Sequence, residues 1–81
     1  MAHDLWEQLR AFAGGLRIEG LLDWADELDD VTRHASTGSE ALMGARWVLA
    51  RLVATDEAMR VSTRSDAHGL IAELTDVLGR T

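Results

Sequence analysis

The stretch Thr37 to Thr55, TGSEALMGARWVLARLVAT, decides the fold. It opens on Thr37-x-x-Glu40, the capping-box spacing, in which each side chain can satisfy a backbone N–H that the first helical turn leaves free. No Pro interrupts it, and Thr55 or Asp56 marks its end. Between those limits Leu42, Ala45, Leu49, Leu52 and Val53 recur at helical spacing. Met43, Trp47 and Ala50 add a second apolar flank, and Ala41 and Val48 a third. Glu40, Gly44 and Arg51 are the polar edge. A helix apolar on so many sides is expected to be covered on several of them. This segment therefore reads as a central helix, or as one shared between two subunits.

Working outward, the neighbouring segments also read as helices. The chain has no Pro, and no alternating strand pattern persists for more than a few positions. A first helix is expected from His3 to Ala13, with Leu5, Leu9 and Phe12 on one face, Trp6 and Ala13 beside it, and Gly14-Gly15 as its stop. Asp4 and Glu7 suit the positive end of its dipole. A second helix is expected from Glu19 to His34. Its apolar face carries Leu21, Trp24, Ala25, Leu28, Val31 and Thr32. The short turn Ser36 to Ser39 then makes the second and third helices antiparallel neighbours. Asp56 to Arg60 reads either as a separate turn or as a continuation of the central helix, and Val61 to Ser65 as a loop. A last helix, capped by Ser65 or Asp66, is expected to reach Leu78 with Ala67, Leu70, Ile71, Leu74, Val77 and Leu78 in one stripe. The expected fold class is all-α: residues 1–81 as a single domain, a small bundle of four helices with short loops and the third helix central.

Bulk properties narrow the function. At 81 residues and 47% hydrophobic content, the chain is one small globular domain that needs tight packing or a partner to be stable. It has no Cys, so neither disulfides nor thiolate metal sites can staple it. The first apolar run follows His3 and Asp4 and ends at Gly14-Gly15, which does not read as a secretory signal, and no run approaches the ~20 residues a membrane span needs. The expected location is the cytoplasm. The formal net charge is -6, concentrated in the first forty residues, which hold nine acids and three Arg. An acidic chain is a poor binder of nucleic acid or of an anionic membrane, and a better match for a basic protein.

The outer face of the second helix carries Glu19, Asp23, Asp26, Glu27 and Asp30, with no Lys or Arg between Glu19 and Thr32. A helix that is merely solvated is usually mixed in sign, so this face reads either as a docking surface for a basic partner or as a solubilising surface. It does not read as a metal site. A calcium loop needs ligands around a Gly turn, and a bundle di-metal site needs inward Glu-x-x-His pairs, absent here. His3, His34 and His68 lie far apart without metal-ligand spacing, and no nucleophile elbow or phosphate loop occurs. No cofactor is expected, and the chain reads as non-catalytic. Met43, Arg46, Trp47 and Ala50 form the second candidate surface. Either the first helix packs there, or a second copy or a partner does, since Trp and Met are enriched in interface cores. Arg46 falls beside Leu42, Leu49 and Val53. Either its stem snorkels to water or its guanidinium bonds groups between the second and third helices.

Two segments, Gly20 to Leu28 (GLLDWADEL) and Ser36 to Trp47 (STGSEALMGARW), resemble small uncharacterised all-helical bacterial proteins with a Trp-Ala-x-x-Leu helix, a Ser/Thr-rich turn and a Glu-x-Leu-Met-x-x-Arg-Trp helix. In size, charge and class the chain is also similar to immunity proteins and antitoxins. That likeness implies a non-catalytic inhibitor docking on a basic, toxin-like protein. The alternatives are a homodimeric structural or regulatory protein and a helix-turn-helix DNA-binding regulator. The latter fits poorly, because the would-be recognition helix is too apolar for a groove.

Overall fold

The computed structural model describes residues 4–56 and 59–80. They form four helices, α1 (Leu5–Ile18), α2 (Leu22–Arg33), α3 (Gly38–Thr55) and α4 (Val61–Gly79), and no strand among the described residues. Each helix packs on the next, and α4 returns to α1. α3 lies between α2 and α4 and buries Ala41, Ala45, Val48, Leu49 and Leu52, the largest such set of any helix. One core cluster joins these, apart from Ala41, to Leu9, Phe12, Ala13 and Leu16 of α1, Ala25 and Leu28 of α2, Met59, and Ala67, Leu70 and Leu74 of α4. The expected bundle is the observed one.

The start of α3 follows from its sequence. Thr37 Oγ1 accepts the Glu40 N–H at 3.1 Å, as the capping box requires. The return half is displaced by one residue: Glu40 Oε2 accepts the N–H of Ser36 at 3.1 Å, so the carboxylate ties the preceding turn to the helix instead of closing on Thr37. α2 and α3 then run antiparallel with Gly44 against Val31. A β-carbon added to Gly44 would sit 3.0 Å from Val31 Cβ, so a bare Cα at that position lets the helices approach.

Four boundaries differ from the expected ones. α1 runs through Gly14-Gly15 and ends three residues later, at Ile18. Burial of Leu16 offsets the cost of two helical glycines, about 1 kcal/mol each relative to Ala. The true stop is Gly20 at φ +88°. There the Leu21 N–H bonds Leu16 O at 2.8 Å and the Gly20 N–H bonds Arg17 O at 3.1 Å, the Schellman arrangement. α2 consequently begins at Leu22, and Glu19 is the C-cap of α1 rather than part of α2. The start of α1 also moves: Asp4 is its N-cap, with Oδ1 accepting the Trp6 N–H at 3.0 Å, while His3 lies outside the described residues. Residues 61–65, expected as a loop, are the first turn of α4.

Long-range polar contacts explain that last difference. α4 has no side-chain N-cap of its own. Glu19 supplies one from across the fold, its Oε1 accepting the Arg60 N–H at 2.7 Å, with Arg60 Nε 3.7 Å away. From the other side, Arg64 donates to Val53 O at 2.7 Å and Asp56 O at 2.5 Å, satisfying carbonyls that the end of α3 leaves open. α3 therefore ends at Thr55 and does not continue through Asp56; Glu57 and Ala58 lie outside the described residues. We expect Glu19→Ala to lower stability by about 1 kcal/mol, the usual cost of losing a helix cap. Chemical denaturation followed by circular dichroism checks it, and an unchanged midpoint would mean that the Glu19 contact contributes nothing.

Candidate interaction surface

The acidic face is not one surface. α2 carries its carboxylates in two stripes. Asp26 and Asp29, three residues apart, turn toward α1, where Arg17 donates to Asp26 Oδ1 at 2.7 Å and meets Asp29 Oδ2 at 2.8 Å. The hydrogen bond that Arg17 donates to Asp29 raises its pKa above the usual value, and with the nearby charges of Asp29 and Asp26 it outweighs the opposing effect of desolvation. The second stripe is Asp23, Glu27 and Asp30, at i, i+4 and i+7 on one side of the helix, and it borders α3. Glu27 is bonded there by Arg51. Glu19, expected on this wet face, is elsewhere. Its side chain is only 9% exposed, and its second carboxylate oxygen is sealed from solvent without a hydrogen-bond partner. It acts as an internal clasp, and the docking role expected for it is corrected to a structural one.

Of the five expected acids, then, Asp26 and Glu27 are paired, Glu19 is enclosed, and Asp23 and Asp30 are exposed without a cationic partner among the described residues. The apparent lack of compensating charge is local to the sequence. Arg17 arrives from α1 and Arg51 from α3.

The flank Met43, Trp47 and Ala50 is open. Met43 is 51% and Trp47 58% exposed, and Ala50 is exposed. α1 does not cover it, because α1 packs on α2 and α4. α3 is therefore covered where it meets α2 and α4 and bare on this flank, where packing by the first helix was one of the expected alternatives. Trp47 is organised nonetheless. The Arg51 guanidinium carbon lies 4.4 Å from the Trp47 ring centroid and 5.4 Å from that of Trp24 on α2. One cation thus touches two rings and the Glu27 carboxylate. Such contacts contribute roughly 0.5–1 kcal/mol each at exposed sites, and they hold the Trp47 ring in place. Arg46 is partly buried and has no hydrogen bond or ion pair among the described residues, so its stem covers apolar surface while its head stays in water.

Further along the same side, Asp30, Val31, His34 and Ala35 face Glu40 and Gly44 across an open groove of about 410 Å³. His34, Asp30 and Glu40 are the nearest approach to an acid–base set in the described residues. All three are exposed, Glu40 is engaged with Ser36, and His34 Nδ1 lies 3.2 Å from the Asp30 main-chain oxygen. A wet groove with its groups tied to the backbone offers little of the preorganised, water-excluded environment that proton transfer exploits. His68 is exposed on α4. Among the described residues no three His, Cys, Asp or Glu side chains are placed to hold a metal ion, and no helix is long and apolar enough to cross a membrane. Trp6 and Trp24 pack at the edge of the core, as expected. Sequence reasoning missed Asp29, which belongs to the α1 stripe, and the role of Arg51, whose Glu27 partner is 24 residues away. Compared with family models, with curated proteins and with solved structures, the chain finds no match in any of the three.

Proposed function

We propose that this protein is a non-catalytic protein-binding module and that the α2/α3 side is its docking surface for a basic partner. The observation that carries the reading is the pairing of two unneutralised carboxylates, Asp23 and Asp30, with a fixed, exposed Trp47 and its neighbour Met43. An exposed aromatic held in place on α3 supplies the kind of anchor on which binding hot spots are built, and exposed carboxylates on the neighbouring α2 favour a partner of the opposite charge. An inhibitor of the immunity or antitoxin kind, seated on the basic surface of a toxin-like protein, is one form such a module takes. The exposed Trp47 and Met43 also support the second reading, a homodimer.

The test uses an amphipathic helical peptide with Leu on one face and Lys on the other, titrated into the isotopically labelled protein. Amide shifts should cluster on Asp23, Asp30, Met43 and Trp47. Asp23→Lys with Asp30→Lys should weaken binding about 10-fold or more, roughly 1.4 kcal/mol, with helicity unchanged. Undiminished affinity in that variant removes the electrostatic basis. Sedimentation that shows a dimer at micromolar concentration moves the assignment to a second copy.

A further inference from the structure

Between α1 and α2 lies a different kind of site. Four of the arginines, Arg17, Arg51, Arg60 and Arg80, are in ion pairs, and Arg64 is engaged by main-chain carbonyls. Arg10 and Arg33, like Arg46, have no such partner among the described residues. Unlike Arg46, they converge. Arg10 from α1 and Arg33 from α2 line one cavity of about 200 Å³, whose other walls are Trp6, Leu9, Leu28, Asp29 and Thr32. In a chain of net charge -6, two arginines without a partner among the described residues, lining one partly apolar cavity, favour an anionic ligand.

We propose that this cavity binds a small aromatic monocarboxylate. Four features select that class. The volume is below the roughly 300–1,000 Å³ of ordinary ligand pockets and somewhat above the about 150 Å³ that accepts benzene, so one ring or a fused pair fits. Part of the lining is apolar, from the buried Leu9 and Leu28, and Trp6 offers a ring for stacking. Two planar guanidinium groups on separate helices match the two oxygens of a carboxylate. The fourth feature is the Asp29 carboxylate. It is held by Arg17 but still lines the wall, so it disfavours a doubly charged phosphate more than a singly charged acid. Thr32 does not compete for the anion. Its hydroxyl faces the main-chain oxygens of Asp29 at 3.0 Å and Leu28 at 3.2 Å, so its proton is already directed there.

The experiment is calorimetry combined with amide and indole NMR shifts, using benzoate and indole-3-acetate as probes. Benzylamine, benzyl alcohol and inorganic phosphate serve as comparisons. Saturable binding of at least one aromatic acid is expected, with shifts at Trp6, Leu9 and Thr32. The double substitution Arg10→Gln, Arg33→Gln should weaken it about 10-fold or more, as expected for loss of charge-assisted hydrogen bonds. Arg46→Gln, which removes the same charge elsewhere, should leave the affinity unchanged. No saturation by either acid overturns the proposal, as does equal binding of benzylamine or benzyl alcohol. Tighter binding of phosphate at the same residues overturns the ligand class. An equal loss in Arg46→Gln shows that net charge, not this cavity, is responsible.

Discussion

Replacing Gly14, Gly15 and Gly69 together with Ala should stabilise the protein by about 2–3 kcal/mol, from a helix-propensity gain of roughly 0.8–1 kcal/mol per site. All three lie inside helices, Gly14 and Gly15 in α1 and Gly69 in α4. None has a positive φ. A β-carbon at each would meet nothing within 4 Å beyond the helix's own backbone. The substitution therefore adds no clash and restricts the unfolded chain, which is where the gain arises. For a domain of this size, that gain corresponds to a rise in Tm on the order of 10 °C. Gly20→Ala is the internal contrast. Its φ of +88° is left-handed, so an L side chain is strained there by roughly 1–2 kcal/mol, and Tm should fall. If the triple variant melts at or below the parent temperature while Gly20→Ala is neutral, α1 ends at Gly14-Gly15 and the geometry of the α1–α2 corner described above is wrong.

The same glycines show which parts of the fold the sequence could reveal. Local signals were legible where they agreed with tertiary packing. The Thr37/Glu40 cap, the uninterrupted apolar run to Val53 and the two-sided α2 each pointed to one structure, and each is present. Gly14-Gly15 misled because propensity was weighed without the buried Leu16 that carries α1 past it. The informative stop was the Leu16/Gly20/Leu21 spacing, visible in the sequence but quieter than a glycine pair. Residues 61–65 misled for the converse reason. Val61, Ser62 and Thr63 are weak helix formers, and what starts the helix there is Glu19, 41 residues away, together with Arg64 on the end of α3. The candidate surface was legible in composition and not in charge balance. That α2 is acidic could be read directly. That Arg17 and Arg51 pair with three of its five carboxylates depends on which helices adjoin, and a linear pattern does not contain that information.

The sharpest contrast lies within two residues of α3. Leu49→Ala should cost about 3 kcal/mol, within the 2–5 kcal/mol typical of Leu truncation in a core, because Leu49 is fully enclosed. For 81 residues, total stability is roughly 4–12 kcal/mol at 0.05–0.15 kcal/mol per residue, so this single change puts the fold near its limit. Trp47→Ala removes a larger apolar side chain and should cost only about 1 kcal/mol. Trp47 is 58% exposed, and what it gives the free protein is mainly one of the two rings beside Arg51, a contact of roughly 0.5–1 kcal/mol. Urea denaturation midpoints order the two variants. The larger deletion being the milder one would be hard to explain if both residues served the core. The order inverts if Trp47 is covered in solution by a second copy, since its truncation would then cost interface as well as stack, and the loss would grow with protein concentration. If Trp47→Ala leaves the midpoint nearly unmoved and also abolishes binding of the cationic peptide, the ring's main contribution is to a partner. A small protein carries an exposed Trp at little benefit to its own stability, and that partner would account for it.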